Sequence, residues 1–556
     1  MNKIKYAFLG IVAVAFAGCA DLDYNEASNR DEDWTYNSPL NGVKALVYDV
    51  YAQMPSEFKD NSYGNGAMIA SATDESEFAL SFSPIHKYFN GGWTPSNPFS
   101  ITWDRSYRAI TQVHMYLERI HKIDLSDYEY DPDYQTMVQQ FEIFPYELRF
   151  LRAYFYFELV RAYGDVPLVT TTLTNEQANS VERTPAKDVF RFIINELDAV
   201  AEYLPVSYND IPGQEIGRAT RGAALALKAR VLLYQASPLF NTDNSKELWK
   251  EAAAASKVII DNAQRWGYKL SEYANLWGHD TFTNPEFIFV LGTQASNTFE
   301  QYNYPVGVEN GNSGNCPTQA LVDAYEYQFD GKTFKEKHPG DVDVTAENPY
   351  DGLDPRFALT VVKNGDLWPS NTAQQIAIET YQNGFNGAPK YGATPTGYYL
   401  KKFVDGNCIT TANNQTTTRH NWIVMRLAEV YLNYAEAMYN YYGNADEPGD
   451  FGMSANEAVN VLRNRPDIMM PEFQGNNGFE ERYMRERMVE LAFEGQRFWD
   501  VRRWKKDVAD FKLDGNGNLI LNRVTKTRQW DEKYNLYPIP QSEIQKNGNL
   551  KQNPNW

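Results

Sequence analysis

Two consecutive amphipathic helices near the middle of the chain constrain the fold more than any other sequence feature. Between Ala223 and Gln235, apolar and small residues recur at the spacing of one helix face, and Pro238 ends the pattern. The next helix carries Leu248, Ala252, Ala255, Val258 and Ile259 on one face. Adjacent helices of this kind, with alanine where two helices approach closely, indicate a helical repeat of the tetratricopeptide kind.

The same pairing is predicted at three other places in the chain. The further pairs are Val43–Gln53 with Trp103–Ile120, Phe144–Tyr163 with a helix that follows Thr184-Pro185, and Asn421–Tyr442 with a helix that follows Ser454. Proline at a first helical position and a Ser454/Glu457 capping box mark two of these starts. We therefore expect a mainly α-helical protein in which four tetratricopeptide-like helix pairs form a scaffold.

A different pattern occupies residues 265–420, where Gly, Asn, Pro, Thr and Tyr dominate. Short strands are predicted at Phe287–Leu291 and Ala358–Val362, and Asn-Gly pairs that begin at Asn310, Asn383 and Asn386 indicate turns. We interpret this stretch as a loop-rich lobe inserted between residues 36–264 and 421–556. Binding residues are commonly found on loops that a rigid scaffold supports.

The amino terminus has the pattern of an export signal. Lys3 and Lys5 precede twelve largely apolar residues, which are too few to span a membrane and fit a secretory signal peptide over residues 1–18. Gly18-Cys19 then resembles the lipobox of bacterial lipoproteins, in which the cysteine carries the lipid. The acidic residues that follow, within a linker over residues 19–35, resemble a surface-export signal. The alternative is an ordinary signal peptide with a chance cysteine.

The composition excludes several classes of protein. A net charge of −20 argues against nucleic-acid binding, which needs clustered Lys and Arg. Beyond Cys19 only Cys316 and Cys408 remain, so a disulfide framework is excluded, although pairing of these two is left open. The 38 Tyr and 12 Trp supply more rings than a core requires, and exposed rings can stack on sugars.

Six segments resemble the SusD/RagB family of nutrient-binding outer-membrane lipoproteins of Bacteroidetes. In family order they are Arg149–Phe157 with Tyr163–Leu168, Asn284–Phe289, Pro317–Glu326, Asp354–Phe357, Glu486–Trp504, and Tyr537–Pro540 with Gln552–Trp556. The resemblance implies a SusD-like fold, in which the helix pairs pack against a variable lobe. It also implies a lipid-anchored protein that faces outward at the cell surface, binds an oligosaccharide or polysaccharide, and delivers it to a SusC-like TonB-dependent transporter.

Three carboxylates are the best candidates for catalysis. Glu486, Glu490 and Glu494 recur every four residues on one helix face, and glycoside hydrolysis needs such a pair. Neighbouring arginines would keep them ionised, however, so a structural salt-bridge role is favoured and no catalytic residue is expected. No metal or nucleotide motif is present and no cofactor is expected, although calcium held by scattered loop carbonyls would leave no sequence pattern.

The resemblance places the glycan site in the N-terminal loop region and in part of the lobe. The candidate contacts are Trp93, Trp103, Asp74, Asn61, Tyr304 and Cys316. Trp93 lies in a Gly/Pro-rich loop and is the preferred stacking ring, whereas Trp103 opens a helix and core packing is an equal alternative. Free cysteine is ordinarily buried.

Four functions remain open at this point. The leading one is a surface glycan receptor without catalysis, and a peptide receptor of the RagB kind is the closest alternative. An interaction scaffold and a surface glycoside hydrolase are the others. The sequence does not identify the glycan.

Overall fold

Helices account for most of the regular structure. The computed structural model describes residues 40, 42–58, 66–98, 100–208, 217–278, 282–308, 310–328, 334–335, 350–369, 375–411, 414–506, 528 and 530–556. The helices are α1 Val43–Ala52, α2 Thr102–Arg119, α3 Tyr134–Tyr163, α4 Asn175–Ala178, α5 Ala186–Ala201, α6 Arg221–Ala236, α7 Lys246–Asn262, α8 Thr298–Asn303, α9 Gln319–Ala324, α10 Pro355–Thr360, α11 Leu427–Tyr442, α12 Ala455–Arg463, α13 Phe479–Glu490, α14 Arg497–Arg503 and α15 Gln541–Lys546.

The strands are short and pair only two by two within the described residues. They are β1 Ser76–Phe78, β2 Phe287–Gly292, β3 Asn315–Pro317, β4 Tyr327–Gln328, β5 Phe334–Lys335, β6 Val361–Val362, β7 Leu367–Trp368, β8 Ile376–Ala377, β9 Tyr399–Leu400 and β10 Asn421–Arg426. The antiparallel pairs are β1–β3, β2–β10, β4–β5, β6–β9 and β7–β8. Because β1 lies between α1 and α2 and β3 belongs to residues 265–420, their pairing fastens the lobe to the N-terminal part.

The long helices form one continuous array. Seven helices pack in chain order, each against the next, and these are α2, α3, α5, α6, α7, α11 and α12. Helix α6 is buried on most sides because alanines such as Ala223, Ala226 and Ala229 let its neighbours approach closely. This array confirms the predicted mainly α-helical scaffold. The division of the chain at residues 264 and 420 stays a prediction.

Several local predictions are wrong. Asn421–Arg426 is a strand, because its six residues are all buried and its Trp, Ile and Val side chains favour pairing with β2. Residues 358–360 are helical, because Asp354 caps α10 and Pro355 occupies its first turn. Helix α3 begins ten residues earlier than predicted, at Tyr134. The capping box between Ser454 and Glu457 is confirmed.

A cluster of buried charged side chains joins the lobe to the C-terminal helices. This buried ion cluster consists of Glu286, Arg356, Lys402, Arg426, Arg463, Arg465, Glu486, Glu490 and Glu494. Arg426 donates to Glu286 at 2.7 Å, to Glu490 at 2.8 Å and to Glu494 at 2.7 Å. Each charged group therefore has an oppositely charged partner within the protein, as buried charges require.

The buried ion cluster explains why the three helix-face carboxylates, Glu486, Glu490 and Glu494, are ionised. Burial acts to raise the pKa of Glu490, but Arg465, Arg426 and Arg356 outweigh it and the pKa falls well below its usual range. The predicted salt-bridge role is thus confirmed for these residues, with different partners. Arginines close in sequence bind elsewhere, since Arg487 and Arg503 pair with Asp500.

Candidate functional site

The predicted stacking ring, Trp93, is part of the aromatic core. Its side chain is only 2% exposed and lies within 6 Å, centroid to centroid, of the rings of Tyr88, Tyr534, Tyr537 and Trp556. This burial corrects the interpretation of Trp93 as a ring that is open to solvent. A Gly/Pro-rich loop suggested exposure, but the rings that cover Trp93 come mostly from the far end of the chain.

The other predicted contacts are also buried where the structure describes them. Trp103 packs edge-on against Tyr163, and Asp74 forms a double ion pair with Arg497 at 2.9 and 2.8 Å. Tyr304 donates its hydroxyl hydrogen to the carbonyls of Asp405 and Cys408, and the Cys316 thiol is fully buried, 3.5 Å from the Ser313 carbonyl. Asn61, like Cys19, lies outside the described residues. Glycan contact by these residues stays a prediction.

Exposed aromatic side chains concentrate in the lobe instead. In the described part of the chain, the strongly exposed rings are Phe82, Tyr130, Tyr203, Tyr381, Phe385 and Tyr391. Three of them lie within eleven positions, with exposures of 52% for Tyr381, 53% for Phe385 and 79% for Tyr391. Residues 379–391, here called the aromatic loop, therefore present the densest group of open rings that the structure describes.

Asn386 holds the aromatic loop in place from inside. Its side chain is fully buried, donates to the Val306 carbonyl at 2.7 Å and accepts from the Glu379 amide at 3.0 Å. The buried Tyr399 hydroxyl donates to the Asn386 carbonyl. These bonds satisfy groups that would be costly to bury unpaired, so the loop has one well-defined backbone path.

The two Asn-Gly turns give the loop its shape. Asn383 adopts a φ of 68°, a left-handed conformation that asparagine tolerates better than most residues. A side chain at Gly387 would collide with the Tyr381 carbonyl, since a Cβ there would stand 2.1 Å from that oxygen. The Asn383 amide donates to the Ala388 carbonyl at 2.6 Å and closes the turn.

Charged side chains flank two of the three rings. The Glu379 carboxylate accepts a hydrogen bond from the Phe385 amide at 2.8 Å. Partial desolvation, then hydrogen bonding to Glu379, raises the pKa of Tyr381. A fourth exposed ring, Phe82, is two residues from Leu80, and this segment approaches the end of the aromatic loop. Leu80 Cδ2 lies 3.6 Å from the position of a Cβ built on Gly392.

This arrangement suits a flat ligand with both apolar and hydroxyl-bearing faces. Open rings offer apolar contact area, and the adjacent carboxylate and phenol supply hydrogen-bonding groups. Within the described residues no group of three or more His, Cys, Asp or Glu side chains could hold a metal ion. The sequence contained a signal for this loop, since two Asn-Gly turns lie among aromatic residues, but the preferred candidates were placed elsewhere.

The fold and the loop together define a class of protein: a helical-repeat scaffold that carries a loop-rich segment with exposed rings. Residues 285–556 match the model of the SusD family, and residues 22–233 match a SusD-like family described as starch-binding and associating with the outer membrane. These two matches cover most of the chain. The protein belongs to the SusD/RagB family.

Relatives of known sequence or structure agree with this assignment. SusD-like protein P2 of Formosa agariphila is 25% identical over an alignment of 580 residues, gaps included, which covers 100% of this chain and 99% of that protein. A SusD-like protein from Bacteroides fragilis shares 26% identity and a TM-score of 0.73, over 95% of this chain and 98% of that one. A SusD-like carbohydrate-binding protein from the same species shares 24% identity and a TM-score of 0.73, over 94% and 100%.

Family membership associates the protein with carbohydrate binding at the outer membrane. Of the helices in the described part of the chain, none combines the length and apolar character that crossing a bilayer requires.

Proposed function

We propose that this protein is a cell-surface lipoprotein that captures an oligosaccharide or polysaccharide through the aromatic loop and delivers it to a SusC-like TonB-dependent transporter. The observation that carries the proposal is the group of three open rings on a loop with a fixed backbone. The family description, which combines starch binding with the outer membrane, supports the same ligand class.

The geometry of the loop favours binding over catalysis. Glycoside hydrolysis needs a carboxylic acid able to donate a proton and a second carboxylate beside the bond that breaks. The helix-face carboxylates of the buried ion cluster are enclosed and held ionised by arginines. At the aromatic loop, Glu379 is occupied by the Phe385 amide and Tyr381.

Ligand charge is also constrained. The chain carries a net charge of −20, which repels polyanions at low ionic strength. Neutral glycans are therefore the first ligands to test.

Binding is tested with the soluble chain that lacks residues 1–19 and a panel of neutral and anionic polysaccharides, by affinity electrophoresis and calorimetry. A Tyr381→Ala/Phe385→Ala/Tyr391→Ala variant should lose at least about a hundredfold in affinity, since each of the three ring contacts contributes about 1–3 kcal/mol by analogy with base stacking. Tyr130→Ala, at a ring 94% exposed outside the lobe, is the matched control. Equal affinity of the triple variant and wild type would refute the role of the loop.

Two further measurements address delivery and catalysis. Mild detergent extraction of native membranes should co-purify a TonB-dependent transporter, and recovery of the free chain alone, while other lipoprotein complexes survive, would contradict the partnership. Prolonged incubation with a bound polysaccharide should leave its chain length unchanged. Shortened chains would instead identify a hydrolase.

A further inference from the structure

A cleft lies between α2, residues 167–181 and α15, far in sequence from the aromatic loop. We call it the α2–α15 cleft. It encloses about 450 Å³, and its floor includes Trp103, Tyr107, Ile110 and Leu550. Ligand clefts are commonly about 300–1,000 Å³ with mainly apolar walls and a few polar groups. The volume is therefore sufficient for a small molecule.

A buried histidine at this cleft has an unused hydrogen-bonding position. His114 lines the cleft and is only 2% exposed, and its Nε2 atom has no hydrogen-bond partner among the described residues. The ring makes its other hydrogen bond with the backbone of Thr171. Burial first, and then the charge of Arg152, lowers the pKa of His114 to about 4, so the ring is neutral near pH 7. A neutral imidazole donates a hydrogen bond from one ring nitrogen and accepts one at the other.

The rim of the cleft carries two acids and two bases. Asp104 and Arg108 stand one turn apart on α2, and neither forms an ion pair among the residues described. Across the mouth, Lys546 binds Glu543 at 2.7 Å. The hydrogen bond to Glu543 is the main cause that raises the pKa of Lys546, and the charge of Asp104 makes a smaller contribution. Opposite charges thus balance around the opening.

These groups define the chemistry of the ligand. A balanced rim gives no preference for a net anion or cation, so the ligand is neutral. The Asp104 carboxylate accepts hydrogen bonds, whereas the Arg108 guanidinium and the Lys546 ammonium donate them. A hydroxyl group satisfies both requirements at once, and a ring with one less polar face can lie against the aromatic floor.

We propose that the α2–α15 cleft is a second binding site, which takes one neutral saccharide ring independently of the aromatic loop. Asp104 and Arg108 bond neighbouring hydroxyls, and the less polar face of the sugar lies against Trp103 and Tyr107. The site is small and isolated, so it binds a single sugar unit or a chain end and does not extend the aromatic loop.

The test uses the soluble chain and saturation-transfer NMR with D-glucose, D-galactose, D-mannose, D-xylose and L-fucose. At least one sugar should bind wild type. Asp104→Asn/Arg108→Met removes both exposed charges from one face of α2 and should weaken that binding at least tenfold. Ala178→Trp, which places a large ring at an exposed position in the cleft wall, should abolish it.

A separate arm distinguishes this proposal from the proposed function. The triple aromatic-loop variant should retain monosaccharide binding while losing polysaccharide binding. Three results would overturn the second site: wild type binds none of the monosaccharides, the loop variant loses monosaccharide binding, or both cleft variants keep it. Circular dichroism should show that the cleft variants are folded, since Asp104, Arg108 and Ala178 are all exposed.

Discussion

The Lys390 ammonium lies 4.1 Å from the centroid of the Phe385 ring and donates a hydrogen bond to the Phe385 carbonyl at 2.6 Å. One lysine thus holds both the ring and the backbone of the residue at the tip of the aromatic loop. The cation covers one face of the ring and leaves the side chain half exposed.

Lys390→Met should weaken glycan binding modestly. The substitution keeps the length of the side chain and removes the cation–π contact, which is worth about 0.5–1 kcal/mol at an exposed site, or roughly twofold to fivefold in affinity. Calorimetry with the best polysaccharide of the panel measures the change. Lys187→Met, at an exposed lysine on the scaffold, is the control. Unchanged binding by Lys390→Met would show that Phe385 needs no such support.

Asn386→Ala should lower both stability and affinity. It leaves the Val306 carbonyl and the Glu379 amide without their buried partner, at a cost of about 1–3 kcal/mol. Urea denaturation reports the stability change, and calorimetry reports the affinity. Asn407→Ala changes an exposed asparagine in the same lobe and should be neutral. A variant that loses stability but binds normally would separate loop order from recognition.

Arg426→Met should destabilise the protein severely. It leaves Glu286, Glu490 and Glu494 without a shared cation in the buried ion cluster, and breaking such a buried pair costs about 3–5 kcal/mol. The control is Arg191→Met, since Arg191 is 70% exposed where it pairs with Asp188. A loss below about 1 kcal/mol in urea denaturation is not compatible with the described role of the cluster.

Glu75→Gln should stabilise the protein near neutral pH. Glu75 is buried, and neither carboxyl oxygen has a hydrogen-bond partner among the described residues. Burial first, and then the charge of Asp74, raises its pKa well above the usual value. The protonated folded form is therefore favoured, and its stabilising contribution is complete below the unfolded pKa of about 4.3 and is lost as the pH rises toward the folded value.

Thermal unfolding between pH 4 and pH 8 checks this sign. The Tm of Glu75→Gln should exceed that of wild type at pH 7–8, and the difference should shrink toward pH 4. Glu182→Gln, at an exposed glutamate, should show no such trend. A Glu75→Gln protein that is less stable than wild type at pH 8 would mean that the ionised carboxylate is stabilised.

Cys19→Ala should release the protein from membranes. The short apolar segment that ends in Gly18-Cys19 predicts a lipid anchor, and stable anchoring needs more than one acyl chain. In cells without the partner transporter, the variant should appear in the soluble fraction, whereas wild type should sediment with the outer membrane. Identical fractionation of the two proteins would disprove lipid anchoring.

Local sequence predicted the scaffold well because each helix carries its own evidence. The pattern from Ala223 to Gln235 agrees with α6, and the Ser454/Glu457 box begins α12. The helix predicted over Asn421–Arg426 was wrong because the apolar spacing continues from this strand directly into the helix α11. The strand is determined by its partner β2, which is more than a hundred residues earlier.

The candidate site was harder to predict, because exposure depends on contacts between distant residues. Nothing near Trp93 indicates that Tyr534 and Trp556 will cover it. Similarly, the arginines next to Glu490 in sequence suggested its ionised state, but its partners are Arg356, Arg426 and Arg465. Turn signals at Asn383 and Asn386 were readable, whereas the openness of Tyr381 and Phe385 was not.

The buried ion cluster also has a consequence for biogenesis. Arg426 and Glu286 are 140 positions apart, and the other two carboxylates that Arg426 binds, Glu490 and Glu494, come later still. Glu286 and Arg356 are synthesised long before Arg426 and Glu490, to which they respectively bind, and must stay hydrated until then. A chain that emerges from its amino terminus can form the early helices in sequence, but it cannot seal its charged centre until residue 494 has appeared. A truncated chain that lacks α13 would leave Arg356, Arg426 and Arg465 without the carboxylate of Glu490 that they share.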